Sequence, residues 1–305
     1  MVEPVARRHV VEYIKQTHSL SERRACKLSS LPRSSFRYQP KPDKNAGLRV
    51  RLRELAEKRR KFGAPRLHTM LRRERHQINH KRTERLYREE GLSLRLKRRK
   101  KRISHLRVVM DRAERINQHW SMDFVSDSLY NGRRFRVLTI VDDFSRECPA
   151  LEADHSLTGK RVTRVLDRVA LLRGLPDVIT VDNGPEFISK ALDLWAYENN
   201  VKLRFIQPGK PVQNAYIESF NGKFREECLN EHVFVSLHSA QQIIETWRQD
   251  YNTERPHSSL NDLTPEEFTE AFNQVQKTKI TNQNLALKTG EGHMHFRKCS
   301  GEITP

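Results

Sequence analysis

Residues 178–187 constrain this chain most. Val178-Ile179-Thr180-Val181 is a β-branched apolar run, which suits a buried strand, and it delivers Asp182 to an Asn183-Gly184-Pro185 break. A short strand ending on an acid at a sharp turn fits an open α/β sheet, whose sites lie just beyond the carboxyl ends of its strands. A second strand carrying an acid lies upstream, Trp120-Ser121-Met122-Asp123-Phe124. Downstream, Asn214, Glu218, Asn221 and Arg225 follow at spacings of four, three and four, which puts two amides, a carboxylate and a guanidinium along one helical face.

Asp123, Asp182 and Glu218 can therefore converge from two strands and a helix. Three carboxylates repel one another, and a site that collects them is neutralised most simply by divalent metal; their hard oxygen donors suit Mg²⁺ or Mn²⁺. Two such ions roughly 4 Å apart clamp the attacking and leaving oxygens of an in-line phosphoryl displacement.

With these residues in view, the chain resembles a DDE transposase of the retroviral-integrase superfamily, and more narrowly the OrfB-type transposases of the IS-three family of bacterial insertion sequences. The resemblance rests on Trp120 to Phe124, Val181 to Phe187, Pro208 to Glu227, and Tyr251-Asn252 with Arg255-Pro256-His257, and on the 35 residues between Asp182 and Glu218. It runs from about Leu48 to about Phe268. It departs from the family at Gln213, where Asp is frequent, and at Met122, where Thr is common. The resemblance implies an α/β, RNase H-like catalytic core, a mixed five-stranded sheet with flanking helices, preceded by helical helix-turn-helix-type DNA-binding segments. It also implies DNA cleavage and strand transfer at a two-Mg²⁺ (or Mn²⁺) centre held by Asp123, Asp182 and Glu218, with Arg225 facing bound DNA.

The charge is unevenly spread. Residues 1–110 carry 33 Lys and Arg against 10 Asp and Glu, while the remainder carries 24 against 28. An excess of positive charge confined to the first third points to a polyanion partner, most simply nucleic acid. It peaks at residues 95–102, where Arg98, Arg99, Lys100 and Lys101 sit among seven basic residues in eight. Such a run contacts phosphates and cannot by itself read sequence. Asn214, Asn221, Lys210 and Lys223 are further candidates for DNA contact. Four scattered cysteines with no CxxC pair argue against a disulfide framework and a zinc ribbon. His293, His295 and Cys299 lack a fourth ligand. No apolar run is long enough to span a bilayer, and a reducing bacterial cytoplasm, in association with the nucleoid, is the expected location.

Helical patterns fill the first hundred residues. Residues 1–40 read as a helix-turn-helix-like segment: Val10, Val11 and Ile14 form one stripe, Ala25 and Leu28 another, and Pro32 opens a third helix. Pro40 to Asn45 is a linker. Residues 45–105 read as a second helix-turn-helix-like domain ending in the basic run, with Pro65 opening one helix, Asn79 capping the next and Gly91 stopping it. The core is expected over 112–235. It holds three strands, a helix from Thr158 to Arg173 burying Val162, Val165, Leu166, Val169 and Leu172, the strand to Asp182, a helix near Lys190 to Asn199 and the strand Val201 to Ile206. The Glu218 helix follows. Residues 236–272 extend the core as helix, and 273–305 read as a polar, loose tail.

The partners expected are double-stranded DNA, both element ends and target, further copies of the chain, and an upstream-frame subunit or fusion, with no membrane. The alternative function is a non-catalytic DNA-binding protein derived from a transposase. A host nuclease of the same fold is a second rival, expected to cleave without joining strands.

Overall fold

The computed structural model describes residues 4–39, 41–94, 112–207 and 214–289. The chain divides into two compact units, 1–51 and 52–305. The smaller holds α1 (Pro4–His18), α2 (Glu22–Leu28), α3 (Arg33–Arg37) and the start of α4 (Ala46–Lys58). Its core is Val11, Ala25, Cys26 and Leu31, with Ile14 and Phe36 packed against them. Two expected core positions point outward: Val10 is 46% exposed and Leu28 63%. Cys26 takes the buried place beside Ala25 because α2 is only seven residues long and turns off at Ser29 and Ser30.

In the larger unit, α4 ends and α5 (Ala64–Arg73) and α6 (His80–Glu89) follow, burying Leu52, Leu55, Phe62, Leu67, Leu71 and Leu86. Pro65 stands in the first turn of α5. Past its end, Arg75 takes φ +65° and the His76 N–H reaches back to the Leu71 carbonyl at 3.0 Å, a closed C-terminal turn. Asn79 caps α6 by accepting from the Lys81 N–H at 3.0 Å. Thr83 and His68 join the two helices through a 2.9 Å hydrogen bond. The basic run lies outside the described residues.

The core is a five-stranded mixed sheet of order β3-β2-β1-β4-β5. β1 (His119–Ser128), β2 (Arg134–Asp142) and β3 (Ala150–Asp154) form an antiparallel meander, while β4 (Val178–Val181) and β5 (Lys202–Phe205) add in parallel beside β1. Alternation along the strands splits their side chains into two layers. Trp120, Met122, Leu138, Ile140, Ile179 and Val181 pack with α7 (Gly159–Arg173) and α8 (Lys190–Glu198). Val125, Phe135, Val137, Val141 and Leu151 pack with α9 (Ala215–Glu227) and α10 (Leu237–Thr253). Leu172, expected on the buried side of α7, is 83% exposed: the last turn of the helix, before Gly174 at φ +88°, runs past the edge of the layer.

The segment Tyr251 to His257, which offers no chemistry in the sequence, is a buried brace. Asn252 exchanges two 2.9 Å hydrogen bonds with the backbone of Cys148, extending the sheet's pairing with a side-chain amide. Arg255, 2% exposed, grips Glu227 of α9 through two hydrogen bonds of 2.7 and 2.6 Å. Arg66 of α5 shares that carboxylate at 3.3 Å, and Arg59, just after α4, pairs with Asp250 of α10. α11 (Pro265–Thr289) starts on a capping box in which the Thr264 N–H donates to Glu267 Oε2 and the Glu267 N–H to Thr264 Oγ1. It corrects the expectation of a loose tail from Asn273: residues 273–289 contain no Gly or Pro, and the helix runs on to Thr289. No described helix is long and apolar enough to cross a membrane.

Removing one partner of a buried ion pair leaves the other charge uncompensated. Arg255→Ala is therefore expected to lower unfolding free energy by about 3–5 kcal/mol, read from the denaturant midpoint.

Candidate active site

Strand register brings the first two acids together. Ser121 of β1 pairs with Thr180 of β4 in a parallel ladder. Two residues further on, Asp123 and Asp182 fall on the same face as that pair, because side chains alternate with period two. The flanking Met122 and Val181 enter the opposite, wholly apolar layer. The face carrying the acids lies under α9, and Asn221 of that helix donates from Nδ2 to Asp123 Oδ2 at 2.7 Å. Glu218 stands one turn before Asn221, exposed to solvent.

The turn after β4 holds Asp182 by its own backbone. The Gly184 N–H donates to Asp182 Oδ1 at 2.9 Å, and Asn183 Nδ2 ties the turn to the Ile206 carbonyl at 3.0 Å. A Cβ on Gly184 would stand 2.9 Å from Asp182 Oδ1, so the turn admits only glycine without moving the acid. Asp123 Oδ1 accepts from the Phe124 N–H at 2.7 Å. Burial raises the Asp123 pKa above the usual carboxylate range, and the charges of Asp182 and Glu218 push the same way, against the Phe124 N–H and the Asn221 amide. Asp182 and Glu218 thus both lie within electrostatic reach of Asp123.

As arranged, no group of three or more His, Cys, Asp or Glu side chains among the described residues stands ready to hold a metal ion. The donor chemistry nonetheless suits a hard divalent cation. It is all oxygen, and Asn221 Oδ1, beside Asp123, is buried without a hydrogen-bond partner. Exposed Glu218 is the acid with room to swing.

The neighbouring acids have other duties. Asp142 is fully buried, accepts from the N–H groups of Asn117, Phe144 and Ser145, and pairs with Arg173 at 3.2 Å, a structural role. Asp143 accepts from Ser121 Oγ at 2.8 Å beneath the acid face. Glu186 pairs with Arg136. Neither contact has a signal in the local sequence, since both partners are distant along the chain.

The residues expected to touch DNA are dispersed. Arg225 is exposed two turns past Glu218, its Nη2 on the Ser126 carbonyl at 3.2 Å. Asn214 is 4% exposed at the start of α9, and its Oδ1 has no partner. Lys223 is half-buried toward Arg255 and Arg66, and burial brings its pKa down to about 8. Lys210, Arg98, Arg99, Lys100 and Lys101 lie outside the described residues, as do His293, His295 and Cys299.

The mixed five-stranded sheet, with one acid midway along β1, a second just past β4 and a third on the covering helix, is an integrase-like core, and comparison with known proteins agrees. The sequence matches the integrase core domain family over residues 113–211 and 199–265, and the HTH-like domain family over 42–102. It is 53% identical to the 31.7 kDa protein of insertion element IS407 from Burkholderia multivorans, covering 84% of this chain and 92% of that one. It is 45% identical to the 39.2 kDa protein of insertion element IS476 from Xanthomonas euvesicatoria, covering 93% and 82%. The InsK protein of insertion sequence element IS150 from Escherichia coli K12, named as a transposase, is 27% identical over 85% and 96%. The HTLV-2 integrase catalytic core domain in complex with magnesium aligns at TM-score 0.39 and 19% identity over 50% of this chain and 96% of that one. The chain belongs to the IS-three family of DDE transposases, within the integrase superfamily.

Burial lifts the Asp143 carboxyl to about 7 from an ordinary 3.8. A carboxyl raised in the folded state binds more protons there than in the unfolded chain. Its contribution to stability is therefore full below about pH 4 and is lost as pH rises toward 7, with a slope of at most about 1.4 kcal/mol per pH unit. Asp143→Asn is expected to flatten this slope in denaturation series run from pH 4 to 8.

Proposed function

We propose that Asp123, Asp182 and Glu218 are the catalytic carboxylates of this transposase and hold two Mg²⁺ or Mn²⁺ ions. The observation that carries this reading is the β1–β4 register, which sets Asp123 and Asp182 side by side on the sheet face that α9 covers with Glu218 and Asn221. When bound, such ions supply the Lewis acidity that activates an attacking oxygen and stabilises the departing one. The chain's own residues fix the donors. The Asn221 amide and the Phe124 N–H each hold one oxygen of Asp123, and the Gly184 N–H holds Asp182.

The substrate is double-stranded DNA at the element's ends and, for joining, target DNA. In cleavage, a water oxygen attacks phosphorus and the bridging oxygen departs with the bonding pair. In joining, a DNA 3′-hydroxyl replaces water, so one phosphodiester forms as another breaks and no external energy source is needed. Arg225, exposed on α9, extends from the acids toward the DNA backbone, with Asn221, Lys210 and Lys223 as further contacts, whereas Asn214 is buried. The helix-turn-helix-like domain and the run through Arg98, Arg99, Lys100 and Lys101 supply the cations that hold DNA ends. Working on two ends at once calls for more than one copy of the chain, with an upstream-frame subunit or fusion as a further partner, in the bacterial cytoplasm at the nucleoid.

Asp182→Asn is expected to abolish both nicking and strand joining of element-end DNA in Mg²⁺, with melting temperature and DNA affinity unchanged; retained joining would refute the assignment. Gly184→Ala displaces the Asp182 carboxylate while leaving the identity of every metal donor unchanged. A misplacement on the ångström scale costs about a hundredfold in rate, and single-turnover cleavage is expected to fall toward that level with the fold intact.

A further inference from the structure

On the sheet face opposite the acids, three side chains join the segments that carry Asp123 and Asp182. Phe124 follows Asp123 directly and Phe187 lies five residues after Asp182; their rings stack at 4.7 Å with planes 21° apart. Arg136 of β2 sits diagonally across from Phe124, since Phe124 pairs with Leu138 and Ser126 with Arg136. Its guanidinium lies 4.3 Å from the centre of the Phe124 ring and forms an ion pair with Glu186, the neighbour of Phe187.

This assembly reaches both acids through hydrogen bonds. The Phe124 N–H donates to Asp123 Oδ1. The Phe187 N–H donates to the Gly184 carbonyl at 3.0 Å, and the Gly184 N–H donates to Asp182 Oδ1. Every step from one carboxylate to the other is therefore a contact in the structure. The two acids repel; beyond Val181 the turn after β4 is tied to the sheet by the Asn183 amide and the Ile206 N–H on the Val181 carbonyl, and Phe187 is buried in the apolar layer.

We propose that Arg136 is a positioning residue for the acid pair: clasping Glu186 and lying on Phe124, it locks the turn of Asp182 against the strand of Asp123 and so sets the carboxylate spacing that a divalent cation must meet. This rests on the reading of Asp123 and Asp182 as metal donors. Arg136 itself touches neither metal nor DNA. Its contribution is fixed geometry, which spares the acids a rearrangement against their own repulsion when the cation arrives. A planar, always-charged guanidinium suits the position because it can stack and pair at once, whereas a lysine can only pair.

The test uses the full chain and Mn²⁺ alone, with bound and free ion counted by electron paramagnetic resonance. Residues that orient metal donors without binding the metal are worth about 10–100-fold in affinity. Arg136→Met, which keeps the aliphatic stem, and Glu186→Gln should each weaken Mn²⁺ binding by about tenfold while leaving melting temperature and DNA affinity in place. Saturating Mn²⁺ should restore most of the cleavage rate. Arg136→Lys should fall between them and the parent. Unchanged Mn²⁺ affinity in folded Glu186→Gln and Arg136→Lys overturns the proposal, and these two milder variants carry the decision if Arg136→Met does not fold. Asp182→Asn separates the two levels of inference. If it leaves Mn²⁺ binding untouched, the acids are not the donors; if it abolishes binding while the Arg136 and Glu186 variants bind as the parent does, only the clamp is wrong.

Discussion

The parallel pairing of β1 with β4 is the contact on which the placement of Asp123 and Asp182 depends. β1 runs ten residues, but β4 has only four, and the two strands pair at His119, Trp120 and Ser121. Because Ser121 lies opposite Thr180, alternation leaves no choice about where Asp123 and Asp182 point. A slip of one residue would send one acid into the layer of Trp120, Ile179 and Trp195. That layer therefore protects the register: burying a carboxylate among those side chains, without a partner, is the costly alternative.

Bringing acids together works against the fold, and the structure shows how the strain is carried. Asp123 is raised by burial and by its two neighbours, and both of its oxygens are occupied by N–H donors. Asp182 is held by the N–H of a glycine at which a Cβ would displace the carboxylate. On the far side of the sheet, aromatic stacking and the Arg136–Glu186 pair hold the same segments. Glu218 is left exposed. Two of the acids are thus held by hydrogen bonds, while the third is exposed.

The helix bearing Glu218 is pinned at its far end. Glu227 receives Arg255 from the segment after α10 and Arg66 from α5, so one carboxylate links the helix-turn-helix-like domain, the active-site helix and the C-terminal helices. Arg59 with Asp250 and Arg73 with Glu267 repeat the pattern. Cations from the basic first third thus serve the architecture. Desolvated guanidinium–carboxylate pairs with two hydrogen bonds fix orientation in a way that apolar contacts do not.

Local sequence carried the elements and the three acids. Strand runs, Asn79 as a cap, Gly91 and Gly174 as stops, and the helical spacing of Glu218, Asn221 and Arg225 are signals within a few residues of one another, and local backbone preference decides them. Local pattern misjudged the ends of elements, at Leu28, at Leu172 and beyond Asn273, because burial there depends on where the neighbouring layer stops and on how far helix-favouring residues continue. The pairing of Arg136 with Glu186, of Ser121 with Asp143, and of Asn252 with the Cys148 backbone spans from 22 to 104 residues. Such contacts exist only once the sheet has closed and two layers have packed, which is why the sequence named the acids while the tertiary structure alone decided what holds them in place.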